Sequence, residues 1–328
     1  MKKRIGLYGT IIFITIVYIF LLASGICAQE KYPTRPIEII NPFAPGGQAD
    51  LTGRIWAKYL EKYLGNPVVV VNKPGGGAVI GYTYVANARP DGYTLLNSGE
   101  FWIPILTGTA TYKLEDFLPI QVSRNWNLIF VHSDAPWKTF QEFMDYARKN
   151  PGVKYAHSGV GSFEFFRIQS LNRYAKLNMT HVPLNGTGEV VKALLGKHVP
   201  VGQLGMGVAK PHLEGGQFRP LFSFDPIMES TLDPKIKFPD FDTVFGKTIP
   251  NIESAIYLTA PAKTPKEIIH ILEKAVEKMT KDPEFLEDSK TKLAMITEFV
   301  PSKIVMEERI PKKMAIVKEV MKEIGTIK

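Results

Sequence analysis

The sequence predicts an α/β chain folded as two doubly wound lobes with a cleft between them. Three observations lead there. Short β-rich runs alternate with amphipathic helical stretches along almost the whole chain, the pattern of sheets flanked by helices. Glycine-rich loops fall between a strand and the helix that follows, where sheets of this kind place their ligands. The chain has 328 residues, 45% of them apolar and 22% charged, enough for two domains with their own cores and inconsistent with disorder as the main state.

From the N-terminal side, Ile37–Ile40 is a short strand candidate. After the loop Asn41–Asp50, residues Leu51, Ile55, Tyr59, Leu60 and Tyr63 recur at helical spacing until Gly65 stops the helix. Val68–Val71 is a continuous apolar run, as expected of a buried parallel strand, and Ala78–Ala88 supplies the next helix. Pro90-Asp91-Gly92 is a turn before the strand Tyr93–Leu96. A second series opens near Val131. Phe140, Phe143, Met144 and Ala147 mark a helix face, followed by the strand Lys154–Ala156 and the helix Ser162–Leu177. The strand His181–Leu184, the helix Glu189–Leu195 and the strands Val199–Leu204 and Pro220–Phe224 complete this series. Ala255–Thr259 reads as a strand returning to the first series. Beyond it Thr264 is a candidate cap, Pro265 suits a first turn, and Ile268, Ile271, Leu272, Ala275, Val276 and Met279 form one stripe.

Residues 1–28 have the layout of a secretory signal peptide: Lys2, Lys3 and Arg4, the apolar stretch Ile11–Leu22, then Ala23, Ser24, Gly25 and Ala28. Cleavage is expected after Ala28. Lipidation at Cys27 and retention of the apolar segment as an anchor are the alternatives, although Ile26 fits lipoprotein processing poorly. Cleavage removes the one cysteine and lowers the formal charge from +8 to +5. Neither a disulfide framework nor a cysteine-ligated zinc site is expected. The basic residues are dispersed and, near the C-terminus, alternate with Glu267, Glu273, Glu277, Glu284 and Glu287. That is a solvated face, so no nucleic-acid partner is expected. The histidines show no metal spacing and there is no nucleophile elbow. His157 and Ser158 are adjacent, and adjacent strand residues point to opposite faces. No catalytic residue, metal or cofactor is expected.

Three loops remain as candidates. The first holds Phe43, Ala44, Pro45, Gly46, Gly47, Gln48 and Asp50. Its glycines allow close backbone approach, and the helix start behind it offers free N–H groups and a positive dipole end. Together these suit a small anion without any lysine or arginine. The alternative is that Asp50 caps the helix and the glycines only shape the turn. In the second loop Gly75, Gly77 and Gly81 miss the dinucleotide fingerprint by one residue, and a tight turn is expected. The third holds Ser158, Gly159, Gly161 and Ser162, whose hydroxyls and amides suit the other end of a ligand; Ser162 as a simple N-cap is the alternative.

The segments Tyr32–Ile37, Pro42–Asp50, Val70–Gly77, Pro90–Leu96, Tyr155–Ser162, His181–Pro183, Pro211–Leu213 and Ala260–Pro265, in this order, resemble the Bug family. Its members are the solute-binding proteins of tripartite tricarboxylate transporters. The resemblance implies a monomeric periplasmic binding protein of type II-like architecture. It would deliver a small di-, tri- or aromatic carboxylate to integral membrane permease subunits; signalling to a membrane sensor kinase is the alternative. It also implies that the loops matching Ala44–Asp50 and Ser158–Ser162 hold ligand carboxylates, largely through main-chain amides. The loop with Gly186 and Thr187 borders the pocket, and the second glycine loop supports the first from behind. One lobe is expected from 29–131 and 256–328, the other from 132–255.

Departures from the family pattern stand at Gln48, at Phe163-Glu164-Phe165, at Val199-Pro200 and at Leu204-Gly205. Gln48 takes the place of a small residue, so a tighter mouth or a ligand-facing amide is expected. Phe163, Phe165 and Trp102 offer either an apolar pocket wall or ordinary core packing.

Overall fold

The apolar runs assemble into two mixed sheets. A computed structural model describes residues 32–160, 162–225, 237–246, 253–323, 325 and 327, and residues 35–328 belong to one unit. The signal-peptide expectation for 1–28, Cys27 included, and the expectation for Gly161 lie outside the described residues. In chain order the strands are β1 (Ile37–Asn41), β2 (Val68–Asn72), β3 (Thr94–Ser98), β4 (Phe117–Arg124), β5 (Asn127–His132), β6 (Lys154–His157), β7 (Thr180–Pro183), β8 (Val201–Gly205), β9 (Phe218–Ser223), β10 (Ala255–Pro261) and β11 (Ile296–Val300). Helices of eight or more residues are α1 (Gln48–Leu64), α2 (Val79–Ala86), α3 (Phe140–Lys149), α4 (Phe163–Tyr174), α5 (Thr187–Leu195), α6 (Met206–Glu214), α7 (Lys266–Met279) and α8 (Ile310–Glu323).

The first sheet runs β11-β4-β10-β3-β1-β2. Strands β2, β1 and β3 are parallel, whereas β10 is antiparallel to both β3 and β4. The cause is the route of the chain. β3 and β4 run toward the cleft, the chain then builds the second sheet, and β10 re-enters from the cleft side. The second sheet runs β7-β6-β8-β5-β9, with β6 parallel to β7 and β8, and β5 antiparallel to β8 and β9. Because β5 pairs inside the second sheet, the first crossing falls at Asn125-Trp126, ahead of the 131/132 limit expected from the sequence. The Asn125 N–H donates to the Ser254 carbonyl at 2.8 Å, so the two crossings are bonded to each other.

Strand alternation fixes the layers. On β5, Leu128 and Phe130 face one way and pack with Ala156, Leu204 and the α5 residues Val190 and Leu194. Ile129 and Val131 face the other way, against Tyr155, Leu221 and the α3 residues Phe140, Phe143 and Met144. Phe140 stacks on Phe222 at 4.4 Å; burying such a ring contributes roughly 1.5–3 kcal/mol. In the first sheet Ile40, Leu96 and Tyr257 join α2 and α8 in one cluster, and α1 packs on β2 and α7.

Several sequence expectations change. Val68–Val71 is an edge strand rather than a buried one, with Val69 44% exposed. β4 escapes the sequence reading because Pro119 stands in its third position, and prolines argue against interior strands. Thr264 does not cap α7: its hydroxyl donates to the Pro261 carbonyl and Pro265 holds the cap position.

Candidate functional site

The strand ends aimed at the cleft carry the candidate loops. After β1 the chain turns through Gly46, at φ +79°, to Gly47, the N-cap of α1, which supplies no side-chain cap. Asp50 is already inside the helix and does not cap it. Its carboxylate reaches back to accept from the Gly46 N–H at 3.1 Å and Asn72 Nδ2 at 3.0 Å, and it receives Arg54 in a two-point contact. Burial opposes its ionisation, but these donors outweigh that and hold its pKa below the usual carboxylate value. Asn41 and Asn72, paired at the ends of β1 and β2, both donate to the Phe43 carbonyl. The loop is therefore braced from within by neighbours in its own sheet.

The same loop touches the other lobe. The Ala44 N–H donates to the Asn185 carbonyl at 3.0 Å, and the Gln48 N–H donates to Thr187 Oγ1 at 2.8 Å. Gln48 Oε1 accepts the Val208 N–H at 3.0 Å while its Nε2 donates to the Leu293 carbonyl at 3.3 Å. Its amide is thus occupied as a latch rather than presented to a ligand. Glycines make the approach possible: a Cβ on Gly47 would stand 2.9 Å from Thr187 Oγ1, and one on Gly188 3.1 Å from the Gly46 carbonyl carbon. Gly186 lies against Phe43 and Ala44.

The second loop has two roles. Gly81 lies under Pro42, where a Cβ would come within 2.7 Å, so this loop does stand behind the first. Gly77 also meets Gly159 across the cleft, where a Cβ on Gly159 would sit 3.0 Å from Gly77 Cα. In the third loop Ser162 caps α4: its Oγ accepts from the Phe165 N–H at 3.2 Å and donates to the Gly159 carbonyl at 2.6 Å. Ser158 Oγ donates to Glu164 at 3.0 Å. His157 faces away from Ser158, with Nδ1 against the Gly159 backbone and Nε2 3.3 Å from His181. Burial lowers the His157 pKa to about 4.

Between the loops lies a cavity of about 60 Å³. That is far below the ~300–1,000 Å³ of sites holding drug-sized ligands. Of the residues expected from the sequence, Phe43, Gln48, Ser158, Ser162, Phe163 and Thr187 line it. Ala44, Pro45, Gly46, Gly47, Asp50, Gly159 and Gly186 lie in the same loops but outside the lining. Trp102 is buried in the core, 6.3 Å from the Phe163 ring, and Phe165 packs on His157 at 4.9 Å, so Phe163 alone of these rings reaches the cavity.

Sequence reasoning missed Asn97, Glu100, Asn125 and Tyr82. The signal for the first two was their place at the carboxyl end of β3. No Lys, Arg or His appears among the described lining residues. Glu100 is instead paired from behind by Lys313 at 2.9 Å. Burial, helped by the nearby Glu164 and Glu100 charges, pushes the Tyr82 phenol far above its ordinary pKa, so it stays protonated. The helix starts of α1 and α4 flank this space from opposite lobes; the Gln48 N–H is taken by Thr187 and the Phe165 N–H by Ser162, and the other first-turn amides lack intrahelical acceptors.

A cleft between two α/β lobes, flanked by helix starts from both, is a place where a small solute can be held. Residues 53–324 match the model of the tripartite tricarboxylate transporter family receptor, and the chain belongs to that family of periplasmic binding proteins; it is not an enzyme. Protein BugT of Bordetella pertussis is 31% identical over 281 residues, 80% of this chain and 82% of that protein. Among solved structures, the periplasmic binding protein BugD superposes with a TM-score of 0.82 at 26% identity, covering 90% of this chain and 99% of BugD. MatC from Rhodopseudomonas palustris with bound malate gives 0.79 at 25% identity over 88% of this chain and 99% of MatC. An R. palustris protein with adipate gives 0.80 at 25% identity over 90% and 98%.

Proposed function

We propose that this chain captures a small carboxylate in the interlobe cleft and delivers it to the membrane subunits of a tripartite tricarboxylate transporter. The observation that carries the reading is the pair of helix starts, α1 and α4, that face one cavity from opposite lobes. An anion bound to both sets of amides links the lobes, and charge-assisted hydrogen bonds of roughly 1.5–3 kcal/mol each bias the cleft toward closure. Malate and adipate in the two R. palustris neighbours support a carboxylate as the solute class. The contacting residues are taken to be the cavity-lining members of the three loops, with Ala44, Gly46, Gly47 and Gly159 shaping the backbone around them. Residues 1–28 act as the export signal, and the lobes divide at the bonded crossings Asn125 and Ser254.

The test is a thermal-shift and titration panel on residues 29–328 with mono-, di- and tricarboxylates and aromatic acids. A ligand that binds only the native state raises the melting temperature by mass action. The reading fails if no carboxylate does so.

A further inference from the structure

Beside its two helix starts, the cavity is lined by hydrogen-bond acceptors. Glu164, the second residue of α4, has the Ser158 hydroxyl as its hydrogen-bond partner, and among the described residues no ion pair joins it to Lys, Arg or His. Arg167, one turn further along, is committed to Asp225 at 2.7 Å. Glu100, the other lining carboxylate, differs: Lys313 and the Ala255 N–H both hold its Oε1, at 2.9 Å each. Asn97 is 1% exposed, and its Nδ2 donates to the Ala49 carbonyl at 2.6 Å. That bond fixes the orientation of the amide, and its Oδ1 is left buried without a partner. Asn125, 7% exposed, also leaves Oδ1 unpartnered.

The lining therefore asks for two kinds of group. Helix-start amides receive one anion. A carboxylate without a cation partner and two buried amide oxygens call for donors, and a second carboxylate on the solute would meet Glu164 with no cation beside it among the described residues. We propose that the solute of this chain carries a carboxylate at one end and a nitrogen donor, an ammonium or primary amide, at the other, received by Glu164 and Asn97. The inference rests on the carboxylate-receptor reading above and narrows it: Glu164 becomes the residue that selects against dianions.

Matched pairs test it by calorimetric titration of residues 29–328 at neutral pH: succinate against γ-aminobutyrate and succinamate, adipate against 6-aminohexanoate and adipamate. Within each set the chain length and one carboxylate are shared and only the far group changes. The expected result is at least tenfold tighter binding of a nitrogen-bearing member than of its dianion. In Glu164→Gln the dianion tightens by about tenfold and the ammonium compound weakens by a similar factor. Glutamine keeps an oxygen for the Ser158 hydroxyl, and an unchanged melting temperature identifies a folded variant. The wild-type ranking stands without the variant. If the dianion of either set binds the wild type as tightly as its nitrogen-bearing partners, the donor inference is overturned and the receptor reading survives. If neither these probes nor the wider carboxylate panel binds, both fall.

Discussion

Replacing Gln48 by alanine separates the contacts that join the lobes from those that merely build them. Gln48 is 5% exposed at the first position of α1. Its side chain makes one bond to the other lobe, from the Val208 N–H at 3.0 Å, and one within its own, to the Leu293 carbonyl at 3.3 Å. Its backbone bond to Thr187 is untouched by the substitution. Alanine is at least as good a helix former, so the helix itself is not weakened. A net hydrogen bond contributes about 0.5–1.5 kcal/mol. The bridging bond exists only with the lobes together, so its loss raises the ligand Kd about 2- to 13-fold, with about fivefold the central value. The bond within the lobe acts on folding alone, and about 1 kcal/mol lowers Tm by roughly 2–4 °C. Titration calorimetry with a binding carboxylate, paired with scanning calorimetry of the ligand-free protein, measures the two separately. A lowered Tm with an unchanged Kd would refute the latch.

Further outcomes follow from single contacts. Gly47→Ala puts a methyl group 2.9 Å from Thr187 Oγ1 while the glycine φ of −89° suits any residue. Titration should show affinity down by tenfold or more, with ligand-free Tm almost unchanged; full affinity would remove this contact from the closing surface. Asp225→Ala removes the carboxylate that receives the buried Arg167 at 2.7 and 2.8 Å and the Asn127 N–H at 3.0 Å, and should lower stability by an amount on the order of a few kcal/mol in denaturant melting. His157 is held neutral in the fold down to a pKa of about 4, against an ordinary 6.5. The unfolded chain therefore takes up a proton that the folded one refuses as pH falls from 6.5 toward 4, so stability declines across that window and levels off below it. His157→Gln should flatten that slope, and an equal slope in both proteins would assign it elsewhere.

The strands themselves were legible where apolar runs end in a turn or a glycine loop, as β1, β3 and β6 do. It was not legible at β4, where Pro119 interrupts the run, nor at β11, whose five residues are mostly half-buried. The loops were found from their glycines. Which side chains reach the cavity was not, because Asp50 turns back to brace its own loop, and Ser162, which does line the cavity, engages its hydroxyl in capping α4, local choices that composition does not reveal. Two positions read separately in the sequence, Gln48 and Gly205, meet in the structure. The Gln48 side chain fills the space left by Gly205 and Gly207, whose hypothetical Cβ atoms would lie 2.9 and 2.7 Å from its Oε1.

The bonded crossings at Asn125 and Ser254 have a mechanical consequence. Both residues line the cavity, so lobes turning about these crossings would have their fulcrum in the floor of the site. A solute seated there works at the short arm of a lever. Any change in its thickness at the floor is magnified at the far rim of the sheets, where the receptor would present its face to a membrane partner. On the proposed reading the thickness of the solute would become an angle, and a partner sensitive to that angle would tell one cargo from another without touching it.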